Sequence, residues 1–381
     1  MTIYLDNAAT SYPKPESVYA AVDCFMRNIG GNPSRSAHQR SQRAFETVYQ
    51  ARQAIAKLCH VRIPSRIVFT SNGTEALNLG LKGILKPGDH VITTSIEHNS
   101  INRPLFKLSQ SGISVTEIGY DPLRGLDLDA LSDEIRKETR MIVLIHGSNV
   151  TGDVLPVEKV GVLAREHGIV LMVDGAQTLG KLDVDVEAMN IDLLACPGHK
   201  GLLGPQGTGF LYIREGLEME TVREGGTGWQ SDSMKQPDIL PDRFESGTLN
   251  GLGIAGLGAG VEFVLREGVD QIAHKENNLI QELWDGLEGI AGVSLYGPPS
   301  SSVQRTSVVS FNIEGLHCDE AGSILDDAFD IQVRTGLHCA PGAHKAIGTF
   351  PEGTVRVSPG YFNTPEEMRA LIEAVGRISR R

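Results

Sequence analysis

The chain has 381 residues, 40% hydrophobic and 22% charged, a globular balance that excludes a disordered chain and is too long for one small core. With 47 acidic residues against 35 lysines and arginines, the net charge of −12 argues against a nucleic-acid backbone as partner. No apolar run reaches the roughly eighteen residues of a membrane span, and the five scattered cysteines form no C-x-x-C pair, so neither a disulfide framework nor a zinc site is indicated.

The opening MTIYLDNAAT lacks a basic stretch followed by an apolar one, and a cytoplasmic protein is expected. From about residue 65 to 215, seven strand-like runs alternate with helical stretches: RIVFTS, HVITTS, VTEIG, MIVLIHGSN, IVLMVDG, DLLACPG and GFLYI. The central runs are apolar at consecutive positions, which suits a mostly parallel sheet covered on both faces. Such α/β sheets bind ligands at the carboxyl edge of their strands. After about residue 260 an acidic helical stretch leads to SVVSFNI and TVRVSPG, two further strands. Thr364-Pro365-Glu366-Glu367 then reads as a capping box with proline at the first helical position. We expect a large domain over 15–255 and a smaller α+β domain built from 1–14 and 256–381. Pro298-Pro299-Ser300-Ser301-Ser302 reads as a surface turn.

The chemistry collects at predicted strand ends. Asn72-Gly73-Thr74 opens a helix after RIVFTS, giving either a plain N-cap or free amides and a hydroxyl for a phosphate. His98, after HVITTS, can cap a helix or stack on a planar ring and move protons. Asn149 ends MIVLIHGSN, and Gln177 follows Asp174 by three residues; such side chains serve local backbone or a ligand oxygen. Asp174 ends IVLMVD, and Lys200 follows LLACPGH one α/β step later. A carboxylate and an amine at one sheet edge can hold pyridoxal 5′-phosphate, which needs an anion opposite its pyridine nitrogen and a lysine for the Schiff base. Glu245-Ser246-Gly247-Thr248 offers a second donor-rich turn for a phosphate.

Gly251-Leu252-Gly253-Ile254-Ala255-Gly256 matches the dinucleotide fingerprint, but RFESGTLN before it is no apolar strand, so it reads as a closely packed helix start. Cys339 lies in the Gly- and Pro-bounded loop RTGLHCAPG, with Arg334 and His338 nearby to favour the thiolate of a nucleophile. Cys24 and Cys59 read as small buried hydrophobes. Arg356, in VRVSPG, can bind a carboxylate through its planar fork.

The ordered series YLDNAATSYPKP, NGTEALN, EHNS, SNVTGD, VDGAQ, GHKGLLGPQGTGFLY, FESGTLN, RTGLHC and RVSPGYFNT runs nearly end to end. In it the chain resembles the class V aminotransferase-like enzymes that use pyridoxal phosphate, and within them the cysteine desulfurases. The resemblance implies the PLP-dependent transferase fold type I and a homodimer with its active sites at the interface. It also implies conversion of L-cysteine to L-alanine, or of L-selenocysteine in the sister selenocysteine lyases; another class V lyase or aminotransferase is the further alternative. Under it, Lys200 forms the Schiff base, Asp174 pairs with the pyridine nitrogen and His98 stacks on the ring, while Gln177 and Asn149 lie near the phenolic oxygen and the substrate. Gly73, Thr74 and His199 match phosphate-binding positions, and Gly247 with Thr248 the turn contributed by the partner subunit. Arg356 matches the arginine that binds the substrate carboxylate, Arg334 assists at the mouth, and Cys339 matches the persulfide-forming cysteine. Its short loop is similar to that of the group II enzymes, for which a sulfur-acceptor protein is implied, as is a link to iron–sulfur cluster assembly. No metal is implied. Two departures stand out: Pro197 replaces the serine or threonine common before Gly-His-Lys, and the stretch from Gly226 to Arg243 diverges.

Overall fold

All seven apolar runs become strands of one sheet in the computed structural model, which describes residues 2–33, 38–228, 232–298 and 304–380. Across the sheet the order is Ile67–Thr70, Gly209–Ile213, Leu193–Pro197, Val170–Asp174, Thr139–Ile145, His90–Thr94 and Ser114–Ile118. Neighbours pair in parallel except around Gly209–Ile213, which is antiparallel to both of its neighbours. Every residue of His90–Thr94, Val170–Asp174, Leu193–Pro197 and Gly209–Ile213 is buried, which is why these strands read as unbroken apolar runs rather than alternating ones. Because the parallel strands point one way, His98, Asn149, Asp174 and Lys200 all follow or end strands at the same edge.

A second, antiparallel sheet takes the order Val293–Tyr296, Val309–Ile313, Thr354–Val357, Arg334–Gly336. The helices Val269–Glu288, Cys318–Phe329 and Pro365–Ile378 bury Leu283, Trp284, Leu325 and Leu371 in its core with Phe311 and Val355. Ile3–Tyr4 pairs in parallel with Ile331–Gln332, and Leu5 joins this second core, so the N-terminal segment lies with the smaller sheet. At the last helix, Thr364 accepts from the Glu367 amide while the Glu367 carboxylate accepts from the Thr364 amide at 3.0 Å, the capping box read from the sequence.

The helix Gly251–Glu267 starts at the glycine-rich segment, and no strand of the sheet leads into it. A Cβ on Gly251 would stand 2.5 Å from the Phe25 ring and one on Gly256 2.6 Å from Pro205, so these glycines serve close packing. Cys59 and Cys196 are buried as small hydrophobes, but Cys24 is exposed, on the outer face of the helix Glu16–Cys24, contrary to expectation. Of the turn expected at 298–302, only Pro298 lies within the described residues. Among the described residues no helix is long and apolar enough to cross a membrane.

Arg52 is 5% exposed, and its guanidinium meets both oxygens of Glu245 at 2.7 and 2.9 Å; Glu245 also accepts from the Phe69 amide at 2.6 Å. This ion pair ties the edge strand Ile67–Thr70 to the segment before Gly251–Glu267. Glu245→Ala strands a buried guanidinium, and we expect a loss of about 3–5 kcal/mol, read as a fall in the urea midpoint. A midpoint unchanged from that of the parent would contradict the pair's structural weight.

Candidate active site

A cleft with about 630 Å³ of free space opens at the carboxyl edge of the large sheet. It is lined by Gly73, Thr74, His98, Asn149, Asp174, Gln177, His199 and Lys200, eight of the residues singled out from the sequence, together with Pro197. At one end Asn72 caps the helix Gly73–Ile84 by accepting from the Glu75 amide at 2.9 Å, leaving the Gly73 and Thr74 amides to be met from outside the helix. The Thr74 hydroxyl bonds Ser100 Oγ at 2.7 Å. His199 completes this corner: its Nδ1 is buried with no hydrogen-bond partner among the described residues. Pro197 supplies no amide, and its ring lies 3.0 Å from where a Cβ on Gly73 would stand, a close contact that a larger residue would crowd. First-turn amides, a hydroxyl and an orphaned ring nitrogen are the donors an anionic group requires.

Asp174 is 6% exposed and accepts from the Ala176 amide at 2.9 Å. Burial raises its pKa, opposed by that amide and by the charge of Lys200. Burial pushes the Lys200 amine down to about 8 despite the pull of Asp174, with Arg356 adding to the fall. His98 caps the helix Asn99–Ser109, its Nδ1 accepting from the Ser100 amide at 3.1 Å, so both readings of it hold geometrically: cap and cleft wall. Burial, then Lys200 and the arginines 334, 356 and 103, bring it down to about 4, leaving a neutral ring at pH 7. His199 likewise falls to about 4, by burial and then the charges of Lys200 and Lys14.

Cys339, Arg334 and Arg356, also singled out from the sequence, are not among the residues that line this cleft; the Cys339 loop, from the smaller sheet, is bonded to its edge through the backbone. The Cys339 carbonyl accepts from the Asn99 amide at 2.7 Å, and the His338 carbonyl accepts from Asn149 Nδ2 at 2.7 Å. The thiol is exposed, with Arg334 Nη2 at 3.7 Å. The expected help from His338 is absent: burial drives this ring down to about 2, so it is neutral, and it bonds the Thr354 hydroxyl at 3.1 Å. Only Arg334 of the expected pair offers the thiolate a charge. Arg356 is 1% exposed, its Nη2 on Asp6 at 2.6 Å, its Nη1 on the Asn149 carbonyl at 3.2 Å and its Nε without a partner among the described residues. Gly247 and Thr248 are exposed and do not line this cleft; Gly247 lies on a separate groove with Phe45, Tyr49 and Ile239.

Several contributors were not singled out from the sequence. Asp6 orients Arg356, and the Ala8 carbonyl holds Gln177 Nε2 at 3.1 Å. Ser11 and Lys14 both bond the His199 carbonyl, Lys14 Nζ at 2.9 Å. All four lie in YLDNAATSYPK, a segment whose signal was its motif and not any one residue. Glu97, fully buried, accepts from the Ile145 amide at 2.9 Å.

A family model described as aminotransferase class-V matches residues 3–371. A probable cysteine desulfurase of Methanothermobacter thermautotrophicus is 35% identical over 99% of this chain and 94% of its own length. A cysteine desulfurase of Salmonella agona is 34% identical over 99% of this chain and 93% of its own length. The solved apo structure of cysteine desulfurase from Thermococcus onnurineus NA1 matches with a TM-score of 0.93 at 35% identity, covering 100% of this chain and 95% of that one. The Escherichia coli cysteine desulfurase CsdA matches at 0.88 and 30% identity, over 99% and 94%.

The lowered pKa of Lys200 has a direct test in the cofactor-free protein. The rate at which Lys200 reacts with an amine-directed reagent should rise with pH to a midpoint near 8, because the reactive neutral amine appears there and not near 10.5. A peptide-resolved midpoint above 10 would contradict the burial argument.

Proposed function

The chain belongs to the class-V aminotransferase family and is a pyridoxal-phosphate enzyme with cysteine desulfurase activity, and we propose that Lys200 and Cys339 divide its chemistry between them. The observation that carries this is the 2.7 Å bond from the Asn99 amide to the Cys339 carbonyl, which joins the thiol's backbone to the residue next to His98 in the cleft of Lys200.

The donors at Gly73, Thr74 and His199 suit the cofactor's phosphate, and the buried carboxylate of Asp174 suits its pyridine nitrogen. Pyridoxal phosphate, when bound, supplies the electron sink that makes the substrate's α-carbon acidic. Lys200 holds it covalently, and the freed amine takes the α-proton, a task suited to a pKa near the working pH. His98, neutral, gives the ring a flat face without adding charge. Asn149 and Gln177 stand beside Asp174 for the phenolic oxygen. Arg356, held at two nitrogens by Asp6 and the Asn149 carbonyl, keeps Nε for the substrate carboxylate, with Arg334 nearer the mouth. The Cys339 thiolate attacks the sulfur of L-cysteine; the C–S bond breaks with its electron pair left on carbon, and the sulfur stays on Cys339 as a persulfide. Lys200 returns a proton to the carbon side, and L-alanine leaves.

A homodimer completes the site. Gly247 and Thr248 are exposed beside the half-open aromatic pair Phe45 and Tyr49, so the natural place for their donors is the cleft of a second copy. Two separate cores support a larger cofactor-binding domain and a smaller one that takes in Leu5 of the N-terminal segment, but the helix Gly251–Glu267 packs Leu257, Val261 and Val264 into the larger core, past the expected bound of 255. Since the Cys339 loop is short and bonded at two carbonyls, a sulfur-acceptor protein must come to the thiol.

After incubation with L-cysteine, intact mass should rise by one sulfur, located at Cys339. Cys339→Ala should lose that sulfur and at least about 10²-fold in alanine formation, yet still exchange the substrate α-proton with deuterated water. Unimpaired alanine formation by the variant would overturn the assignment.

A further inference from the structure

Cys339 is exposed, its backbone is bonded to the residue after His98, and an arginine stands against its sulfur although the chain carries a net charge of −12. Arg334 places Nη2 3.7 Å from Sγ and makes no ion pair among the described residues. A second arginine lies on the other lobe. Asn99, whose amide bonds the Cys339 carbonyl, opens the helix Asn99–Ser109, and Arg103 lies about one turn further along that helix. That spacing is a rise of about 6 Å. Arg103 is exposed and, among the described residues, has neither hydrogen bond nor ion pair. Its charge is felt at His98, together with those of Lys200, Arg334 and Arg356. Of the carboxylates at the site, Asp6 is held by Arg356 and Asp174 is buried.

We propose that Arg103 and Arg334 form a cationic rim over Cys339 that selects an anionic thiol as the sulfur acceptor. This rests on Cys339 being the sulfur carrier. In the transfer, the acceptor thiolate attacks the outer sulfur of the Cys339 persulfide, the S–S bond breaks, and Cys339 leaves as a thiolate; the transferred sulfur keeps its oxidation level, so no external oxidant or reductant enters. Two positive charges facing the mouth lower the energy of an approaching anion and raise the encounter rate, an effect that salt screens. The shared chemistry is a thiol flanked by carboxylates, free or on an acceptor polypeptide.

Alkylation reads the rim without any turnover. Iodoacetate and iodoacetamide attack the same thiolate, so in the ratio of their rates at Cys339 the thiolate fraction cancels and the local potential remains. Peptide-resolved mass spectrometry separates Cys339 from exposed Cys24, which serves as the internal control. Arg103→Gln should lower the ratio at Cys339 by about 3-fold and Arg103→Glu by roughly 10-fold, with Cys24 unchanged, and added salt should bring the parent toward the variants. In the persulfide-loaded holoenzyme, mercaptosuccinate and a tripeptide with glutamates flanking its cysteine should discharge Cys339 faster than cysteamine does, and Arg103→Glu should reverse that order. Preference for one of the two anionic probes tells a free acceptor from a peptide one. A ratio insensitive to Arg103 and salt, or equal slowing of both reagents, would overturn the rim. Failure to load sulfur on Cys339 would instead overturn the carrier assignment while leaving the alkylation ratio intact.

Discussion

Two carbonyl oxygens of the small sheet's loop, those of His338 and Cys339, are taken by groups on the large sheet's edge: Asn149 Nδ2 and the Asn99 amide, each at 2.7 Å. The proposed chemistry depends on that junction, because the sheet edge carries the Lys200 amine and the loop carries the Cys339 thiol. Gly342 deepens the contact; a Cβ there would lie 1.9 Å from the Ser95 carbonyl, so the following helix Pro341–Ala346 sits hard against the strand end. Ala340 and Ala343 are fully buried in the larger core. The junction also holds an uncommon backbone: His338 and Cys339 have φ of 49° and 60°, consecutive left-handed residues, neither a glycine. Such a conformation costs about 1–2 kcal/mol per residue, offset here by the two bonds and the buried alanines. The result is a thiol with a fixed position and little reach.

Burial sorts the charges around it. Glu97, inside the edge, is pushed up to about 8 by desolvation, and burial raises Asp174 as well, opposed there by the Ala176 amide and the charge of Lys200. The same desolvation keeps His98, His199 and His338 neutral and brings Lys200 toward neutrality. A buried floor with titratable groups shifted toward neutrality, beside arginines that make no ion pair among the described residues, follows from where each side chain sits in the sheet and the loop.

Much of this was legible in the residues. The seven strands stood out because burial on both faces removes polar positions, and in a parallel sheet a residue at one strand's end must share an edge with those at its neighbours' ends; that is why Asp174, His98 and Lys200 could be grouped from one chain. The strand order, and the antiparallel entry of Gly209–Ile213 between two others, left no mark on local pattern. Nor did the pairing of Arg356 with Asp6, 350 residues apart, since either residue alone looks like a surface charge. Nearness in sequence misled once: His338 adjoins Cys339, yet its side chain turns to Thr354 in the interior and gives the thiol no charge. Cys24 misled in the opposite sense, because helix-face orientation sets its exposure.

The most direct test of convergence between the two lobes is a crystal structure of the protein grown with pyridoxal phosphate and soaked briefly with L-cysteine. The account predicts the ring in the cleft between His98 and Asp174, its phosphate at Gly73, Thr74 and His199, and Cys339 Sγ facing the bound amino acid's side chain. A ring seated elsewhere, or a Cys339 thiol turned away from it in every copy of the chain in the crystal, would contradict the account.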